Sequence, residues 1–262
     1  MLRALYSSAS GMQAQQMNLD VVANNLANVN TTGFKKSKIE FQDLLYQTDR
    51  AAGSEAGAGN QVPTSLQVGH GARPVATAKI FTNGELYQTG EKLDIAIHGN
   101  GFFKVTLPDG SDAFTRDGAF KRNNSGGIVT SDGLPVTSFA GVTIPSTATN
   151  VSIATDGTVA ITDQGTTSTV GQITLSRFAN PAGMESIGNS LYRSTQASGT
   201  EETGTPGLAG MGGVQQGYLE LSNVKVVEEM VNLIKAQRAY EVNSKAIQAA
   251  DEMMSMSNRL RG

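Results

Sequence analysis

Apolar residues recur at every seventh position near both ends of the chain. Near the C-terminus the repeat runs over Val226, Leu233, Tyr240, Ile247 and Met254, and no Pro or Gly falls within 222–260. Near the N-terminus it runs over Leu5, Met12, Leu19 and Leu26. A spacing of seven keeps side chains on one slowly drifting ridge, because two helical turns take close to seven residues. The pattern therefore predicts long helices over 2–30 and 222–260, the second with Ser222 as its N-cap.

The C-terminal helix carries more apolar surface than one neighbour can cover. A second stripe runs over Val224, Val227, Val231 and Ile234, and Met230 is counted with the ridge. One partner helix cannot cover both stripes, so several neighbours are needed. We predict that the two ridges and Met230 form an interface between subunits. The alternative is ordinary packing of the two helices against each other within one chain.

The N-terminal helix is polar but almost uncharged. Between Ala4 and Phe34 the only charged residue is Asp20, and the other faces carry Gln and Asn. Such a surface is too polar for lipid, where every unpartnered amide is costly. Neutral amides suit a helix packed among other helices or lining a polar channel. Gly33 is expected in a left-handed conformation after the helix end.

The interior of the chain is β-prone. Short runs suited to strands cover 93–97, 102–107, 119–122, 142–144, 151–153, 159–161 and 173–178. Asn83-Gly84 is a hairpin signal, and Asp-Gly pairs punctuate the later runs. This spacing predicts an antiparallel sandwich or barrel.

The predicted fold class is α+β, with the two terminal helices forming a coiled-coil-like module and the β body inserted between them. We expect residues 1–34 with 222–262 to form the helical assembly module. Residues 35–90 would form a linker and a small β connecting domain, 91–195 the antiparallel β domain, and 196–221 a linker back to the C-terminal helix. Within residues 46–63 a low-complexity stretch rich in Gly and Ala is expected to be disordered in the monomer. It is either a passive tether or a segment that orders against adjacent subunits and stiffens the assembly.

Charge and composition exclude several classes of function. The 262 residues carry a net charge of −3, and no basic stripe exceeds Lys35, Lys36 and Lys38, so no nucleic-acid partner is expected. We interpret these three lysines as a solvated helix end or turn. The absence of Cys excludes thiolate metal sites and thiol nucleophiles. Neither a signal peptide nor a bilayer-spanning run is recognisable, so membrane insertion is not expected.

No catalytic, cofactor-binding or metal site is predicted. Four aspartates precede glycine and are interpreted as turn residues, namely Asp109, Asp117, Asp132 and Asp156. His98 precedes Gly99-Asn100-Gly101, but a strand follows, so no helix N-terminus is available to hold a phosphate. His70 lies alone between glycines. The chain is therefore not expected to be an enzyme.

Motifs at both ends resemble the flagellar rod and hook protein family. The N-terminal motif comprises Asn24, Asn25, Leu26, Ala27 and Asn28, followed by Thr32, Gly33, Phe34 and Lys35. The C-terminal motif comprises 222–224, 227–231 and 236–241, and the interior stretches 93–97, 99–103 and 115–118 are also similar to the family. Length and interior point to the distal-rod branch.

The resemblance implies a structural subunit that polymerises into the distal rod, the drive shaft of the bacterial flagellar basal body, where it crosses the periplasm. Implied partners are further copies of the chain, proximal-rod proteins, the hook protein, and the P- and L-ring proteins. Export without a cleaved signal peptide through the flagellar type III apparatus is also implied. The alternatives are a proximal-rod or hook paralogue and, from another class, a secreted cell-wall hydrolase, which would need a carboxylate pair or metal cluster.

Overall fold

The structure is a computed structural model that describes residues 2–54, 62–163 and 165–259. Its described residues divide into two compact units. The first unit contains 2–26, 37–54, 62–78 and 226–259, and the second contains 27–36, 79–163 and 165–225. We call them the helical unit and the β unit.

The helical unit contains two long helices and two strand pairs. Its elements are α1 (Leu2–Ala27), β1 (Ser37–Asp43), β2 (Tyr46–Arg50), β3 (Leu66–Gly69), β4 (Ala72–Lys79) and α2 (Val226–Arg259). At 1.5 Å per residue the 34 residues of α2 span about 50 Å. Strand β1 pairs with β4, and β2 pairs antiparallel with β3.

The two helices contact each other in an antiparallel arrangement. Asn25 on α1 donates from Nδ2 to Oε2 of Glu229 on α2, at 3.4 Å. The Asn243 amide lies against Gly11, where an added Cβ would be 2.9 Å from Nδ2. The two contacts are separated by fourteen residues on each helix, and residue numbers rise along α2 as they fall along α1. Fourteen residues are two of the predicted seven-residue repeats, so the helices contact each other with that periodicity.

The buried centre of the helix pair is small and polar rather than large and apolar. Its most buried side chains are Ala14, Val22, Asn25, Glu229, Ala236 and Ala250. Alanine and a hydrogen-bonded amide let two backbones approach closely, whereas leucines would hold them apart. The predicted apolar ridges therefore flank this centre instead of forming it.

Helix α1 ends earlier than predicted, and helix α2 begins later than predicted. Helix α1 ends at Ala27 rather than at residue 30, and turns follow up to Gly33, whose φ is +66°. Helix α2 begins at Val226 rather than at 222, so Ser222 is not its N-cap. The reason is Asn223, whose side chain bonds Lys36 N–H and the Ile80 carbonyl and holds the preceding segment in the β unit.

The stretch over 46–63 is only partly described. Its first residues, Tyr46–Arg50, form β2 and pair with β3. The most glycine-rich part of the predicted disordered stretch, 55–61, lies outside the described residues. The exposed apolar side chains of this hairpin include Tyr46 and Leu66.

The β unit is built from many short strands. They are β5 (Leu86–Gln88), β6 (Ile95–His98), β7 (Phe103–Thr106), β8 (Asp112–Thr115), β9 (Lys121–Arg122), β10 (Ile128–Val129), β11 (Ala148–Ile153), β12 (Thr158–Asp163), β13 (Thr166–Gln172), β14 (Leu175–Arg177), β15 (Glu185–Gly188), β16 (Leu191–Arg193), β17 (Glu202–Gly204), β18 (Gly213–Gln216) and β19 (Tyr218–Glu220). The larger sheets have the orders β15-β16-β8-β7 and β11-β12-β13, and the pairs β6-β18 and β5-β19 bring late strands beside early ones. These pairings are antiparallel, which confirms the predicted α+β class with an inserted antiparallel body.

Two hydrophobic clusters fill the β unit. The larger contains Ile95, Phe103, Val105, Val159 and Leu175 among its fully buried members. The smaller is aromatic and consists of Phe102, Phe114, Phe178, Tyr192 and Met184, with Phe81 packed against it. Its rings meet edge to face, as at Phe114 and Phe178, whose centroids are 4.7 Å apart.

Some local expectations for the interior were wrong. Residues 142–144 form no strand, although Val142 and Ile144 are buried in the larger cluster. Asn83-Gly84 is not a hairpin turn, because the strands on either side of it pair elsewhere, β4 with β1 and β5 with β19. The expected linker over 196–221 contains β17, β18 and β19. The four-part domain division as a whole stays a prediction.

Candidate functional site

A fully buried ion cluster lies in the β unit, at the segments through which the chain enters and leaves it. The Lys35 ammonium is 2.5 Å from Oε1 of Glu220, and both side chains are completely buried. The second oxygen of Glu220 is 3.3 Å from Nη1 of Arg116, which is also buried. One carboxylate therefore faces two cations.

Backbone groups complete the cluster. Lys35 also donates to the Thr82 carbonyl at 2.8 Å, and Glu220 also accepts from the Gly84 N–H at 2.8 Å. Nη2 of Arg116 donates to the Gly99 carbonyl at 2.7 Å. Burial lowers the pKa of Lys35 and of Arg116, and the attraction of Glu220 opposes both shifts. Loss of the Glu220 carboxylate would leave the buried charges of Lys35 and Arg116 without compensation, so this group is important for stability.

The predicted N-terminal motif packs against this cluster. Gly33 donates its N–H to the Glu220 carbonyl at 2.8 Å, and an added Cβ would be 2.5 Å from the Asp117 nitrogen. Thr32 donates its hydroxyl to Oδ1 of Asp117 at 2.8 Å. Phe34 is buried, and the Lys79 ammonium lies 4.6 Å from its ring centre. The motif residues 32–34 therefore fix the entering segment to the body.

The rest of that motif belongs to α1 and the turn after it. Asn25 is buried and bonds both backbone groups of Ser37, each at 2.9 Å, besides Glu229. Asn28 accepts a hydrogen bond from the Thr31 hydroxyl at 3.2 Å. Asn24 is exposed and Leu26 is half-buried. The buried amide at Asn25 agrees with the expectation that neutral amides serve packing.

The predicted interface residues do not share one environment. Leu5, Met12, Leu19, Leu26, Leu233, Ile247 and Met254 are half-buried, while Val226, Met230 and Tyr240 are exposed. The first turns of α2 expose five neighbouring apolar side chains, Val226, Val227, Met230, Val231 and Ile234. We call these five residues the α2 face. At 100° per residue they lie on one side of the helix, away from the buried row that begins at Glu229.

Other candidate chemistry finds no support in the described residues. In the described ranges, no group of three or more His, Asp or Glu side chains could hold a metal ion. Gly110, Gly133 and Gly157 have positive φ, as expected for turns after Asp109, Asp132 and Asp156. Within the part of the chain that the structure describes, no helix is long and apolar enough to cross a membrane.

Known families match both ends and the interior of the chain. The family described as flagella basal body rod protein matches residues 5–35, and the flagellar basal body rod FlgEFG protein C-terminal family matches 215–260. The flagellar hook protein FlgE/F/G D1 domain matches 96–161.

Whole-length relatives settle which member of this group the chain resembles. It is 48% identical over 262 residues to the flagellar basal-body rod protein FlgG of Buchnera aphidicola subsp. Acyrthosiphon pisum, covering 99% of this chain and 100% of that protein. It is 48% identical over 265 residues to FlgG of Borreliella burgdorferi, covering 100% and 99%. With FlgG of Bacillus subtilis it shares 44% over 258 residues, covering 97% of each chain. The chain belongs to the FlgG family of flagellar basal-body rod proteins.

Membership of the FlgG family tests the predicted role of the chain and its alternatives. The chain is a structural subunit of the distal rod of the flagellar basal body, as its terminal motifs implied. The FlgG family is structural rather than enzymatic, so the alternative of a cell-wall hydrolase is wrong. Identity to the Bacillus subtilis hook-basal body complex protein FlhP is lower, at 30% over 272 residues, which favours the rod assignment over a paralogue.

The residues of the ion cluster were not predicted for this FlgG-family chain. Lys35 was interpreted as solvated, but it is fully buried. Asp117 was interpreted as a turn residue, but Gly118 after it does not have positive φ and packs on the Ile95 carbonyl, 1.7 Å from an added Cβ. Lys35, Arg116, Asp117 and Asn223 all fall inside stretches quoted for the family resemblance. Glu220 lies outside them, and no local pattern signals its burial.

Asp117 is expected to lower stability at neutral pH. Burial raises the pKa of this carboxyl, although its hydrogen bonds from Thr32 and the Ala119 N–H oppose the shift. A carboxyl whose pKa is raised on folding stabilises the folded state fully only while it is protonated. This contribution to the free energy of unfolding is lost as pH rises through the raised pKa. Asp117→Asn keeps the Oδ1 acceptor and removes the charge. We therefore expect urea unfolding to show Asp117→Asn as stable as wild type or more stable at neutral pH.

Measurements at acidic pH give the control for the Asp117→Asn variant. Below the ordinary pKa of an aspartate, about 4, wild type and Asp117→Asn both carry a neutral side chain and should have nearly equal free energies of unfolding. Asp109→Asn is the matched variant, since the Ser111 hydroxyl lowers the pKa of Asp109 and the pH trend should reverse. A variant Asp117→Asn that loses stability as pH rises relative to wild type would contradict the assigned direction.

Proposed function

We propose that this rod subunit polymerises through the α2 face, with helices of neighbouring copies covering it. The observation that carries the proposal is the simultaneous exposure of all five side chains, from 38% at Val226 to 74% at Val227. A soluble helix normally turns such a stripe toward a core. Burying each of these large side chains would stabilise the contact by roughly 1.5–3 kcal/mol at full burial. The half-buried ridge residues would be covered further by the same neighbours.

The implied partners fit this mode of assembly. Copies of the chain would form the helical polymer, with proximal-rod proteins at one end and the hook protein at the other, since members of the wider family carry similar terminal helices. The P- and L-ring proteins would surround the β units, and the flagellar type III apparatus would export the chain. Support for these partners comes from membership of a family that assembles within the basal body.

The ion cluster suits a subunit that must transmit torque. The segments 27–36 and 220–225 connect the β unit covalently to α1 and α2. Two interactions join these segments to each other, a part-buried hydrogen bond from Lys36 N–H to Asn223 and a buried ion pair between Lys35 and Glu220. A load on either segment would be shared by both, because neither can move without exposing an unpaired charge.

A charge on the α2 face should prevent polymerisation. Ile234 is 53% exposed, so Ile234→Asp should leave the subunit folded, whereas in the polymer it would place an unpaired carboxylate in an apolar contact. Asn232→Asp is the matched control, because residue 232 lies on the opposite side of the helix and is exposed. Basal bodies purified from cells expressing each variant should contain rods only with Asn232→Asp.

The outcome separates assembly from folding and export. Circular dichroism of each purified subunit should show equal helix content, and both variants should be found outside the cytoplasm. Normal rods built from Ile234→Asp would refute the assignment of the α2 face as the interface.

A further inference from the structure

The β unit has an apolar pocket of about 540 Å³ with a positively charged rim. The apolar side chains that line it are Leu93, Phe120, Ile144, Ala148 and Val151. Three exposed cations also line it, Lys92, Lys121 and Arg122. Lys92 and Arg122 donate to uncharged backbone carbonyls. Of the two carboxylates in the lining, Glu91 and Asp94, only Glu91 is exposed. The pocket therefore suits an apolar side chain with a negative charge beside it.

A side chain of this kind is exposed elsewhere on the same unit. Among the described residues of the β unit, Leu208 and Tyr87 are the only large hydrophobic side chains that are exposed, at 65% and 58%. Tyr87 lies three residues before Gly90, which lines the pocket itself. Leu208 lies on a separate turn over residues 207–210, which we call the Leu208 turn.

The fold holds the Leu208 turn in one defined conformation. Ala209 has a φ of +52°, a left-handed conformation that is unfavourable for a residue with a Cβ. Arg177 stabilises it by donating from Nη1 to the Ala209 carbonyl at 3.0 Å, and the Met211 N–H donates to the Leu208 carbonyl at 2.9 Å. Backbone strain of this kind persists only where the surroundings enforce it, and it is concentrated at functional sites. A held turn suits an interface anchor, because it loses little conformational entropy on binding.

A carboxylate lies beside the Leu208 turn. The Asp156-Gly157 turn packs on Pro206, where a Cβ added to Gly157 would be 2.9 Å from the Pro206 Cγ. A backbone N–H donates to Oδ1 of Asp156 and lowers the pKa of this exposed carboxyl, so it is charged at neutral pH. Arg177 does not cancel this charge, because it is paired with Glu202. The Leu208 turn and Asp156 therefore complement the pocket both in apolar character and in charge.

The pocket and the Leu208 turn lie at opposite ends of one hairpin. Strand β11 begins at the pocket, since residues 148–151 line it, and leads to the Asp156-Gly157 turn before β12. Thr149 and Asp156 are seven positions apart, which is about 20 Å in a strand. Leu208 therefore cannot fill the pocket of its own chain. Two copies in head-to-tail order can make the contact, and a head-to-tail contact that does not close repeats into an open filament.

We propose that Leu208 of one copy occupies the pocket of the next copy, with Asp156 of the first copy facing the cations on the rim. This contact between β units rests on the proposed polymerisation, but it uses no residue of the α2 face. Full burial of one leucine side chain strengthens such an association by roughly 10- to 100-fold.

Cysteine cross-linking tests the contact, because the chain has no Cys of its own. Leu208→Cys and Thr149→Cys each change an exposed side chain, so both variants should fold. Basal bodies from cells that produce both variants would be purified and oxidised with diamide. We expect a disulfide-linked dimer on a non-reducing gel. The matched pair of Leu208→Cys with Ser186→Cys, an exposed position outside the pocket lining, should give at least tenfold less dimer. Rods that contain either member of the first pair alone should give none.

A second pair of variants covers the case in which the cysteine variants build no rods. Leu208→Met keeps an apolar side chain of similar volume and should give a normal number of rods in electron micrographs. Leu208→Asp places a carboxylate in the apolar pocket and should give at least tenfold fewer. Equal numbers of rods for these two variants would overturn the proposal.

The cross-linking results are separable from the test of the α2 face. Assembled rods without the dimer, or with as much dimer from Ser186→Cys, would reject contact between copies at this pocket and assign it to a surrounding ring protein. A dimer from Leu208→Cys alone would show a symmetric contact and reject the head-to-tail order. Normal rods built from Ile234→Asp would refute the α2 face, and a Leu208–Thr149 cross-link in those rods would still support the contact between β units.

Discussion

Glu220→Gln is expected to lower the free energy of unfolding of the β unit by about 3–5 kcal/mol, because it leaves two buried cations without their carboxylate. The substitution keeps the size of the side chain and one carbonyl oxygen, so packing changes little. Lys35 and Arg116 would both lose an ionic partner at 2.5 and 3.3 Å. Thermal unfolding followed by near-ultraviolet circular dichroism of the buried Tyr192 should show a midpoint lowered by roughly 6–20 °C.

Two controls separate charge balance from general damage. Glu202→Gln removes the partner of Arg177 in an exposed ion pair and should change stability by less than about 1 kcal/mol. Lys35→Met removes one of the two cations and leaves Arg116 and Glu220 as a balanced pair, so it should cost less than Glu220→Gln. If Lys35→Met proved the more damaging substitution, the excess positive charge of the cluster would be refuted.

The helices were predictable because their signal is local. A seven-residue repeat over 2–30 or 222–260 can be recognised within one stretch of sequence, and both helices form with that periodicity. What the repeat could not show was the centre of the helix pair. The row through Glu229 and Ala236 follows the same spacing of seven, but alanine and glutamate do not mark a buried seam in the way that leucine does.

The ion cluster was not predictable from one sequence for a physical reason. Lys35 and Glu220 are 185 residues apart, and each becomes buried only because the other compensates its charge. Taken alone, a lysine near other lysines is normally solvated, as is a glutamate at the end of a short strand. The partner that reverses this expectation lies on another element, so no local pattern reports it.

Gly33 has one role that was predictable from the sequence and one that was not. Its position after α1 predicted a left-handed residue, and its φ of +66° confirms that expectation. Its second role, close packing against the backbone of Arg116 and Asp117, depends on a distant loop and was not foreseen. The glycine is therefore required twice, once for conformation and once for space.

Gly33→Ala should accordingly be far more harmful than alanine at an ordinary left-handed glycine. An L-residue in this conformation costs about 1–2 kcal/mol, and a Cβ 2.5 Å from the Asp117 nitrogen would add an overpacking cost of about 1–3 kcal/mol. The backbone cannot yield freely, because the Gly33 N–H is bonded to the Glu220 carbonyl. Gly110→Ala is the matched control, since Gly110 has φ +83° and nothing within 4 Å of an added Cβ. Urea unfolding should give a loss of about 1–2 kcal/mol for Gly110→Ala and about 2–5 kcal/mol for Gly33→Ala. Equal losses would show that conformation alone explains this glycine, and that the entering segment is not wedged against the body.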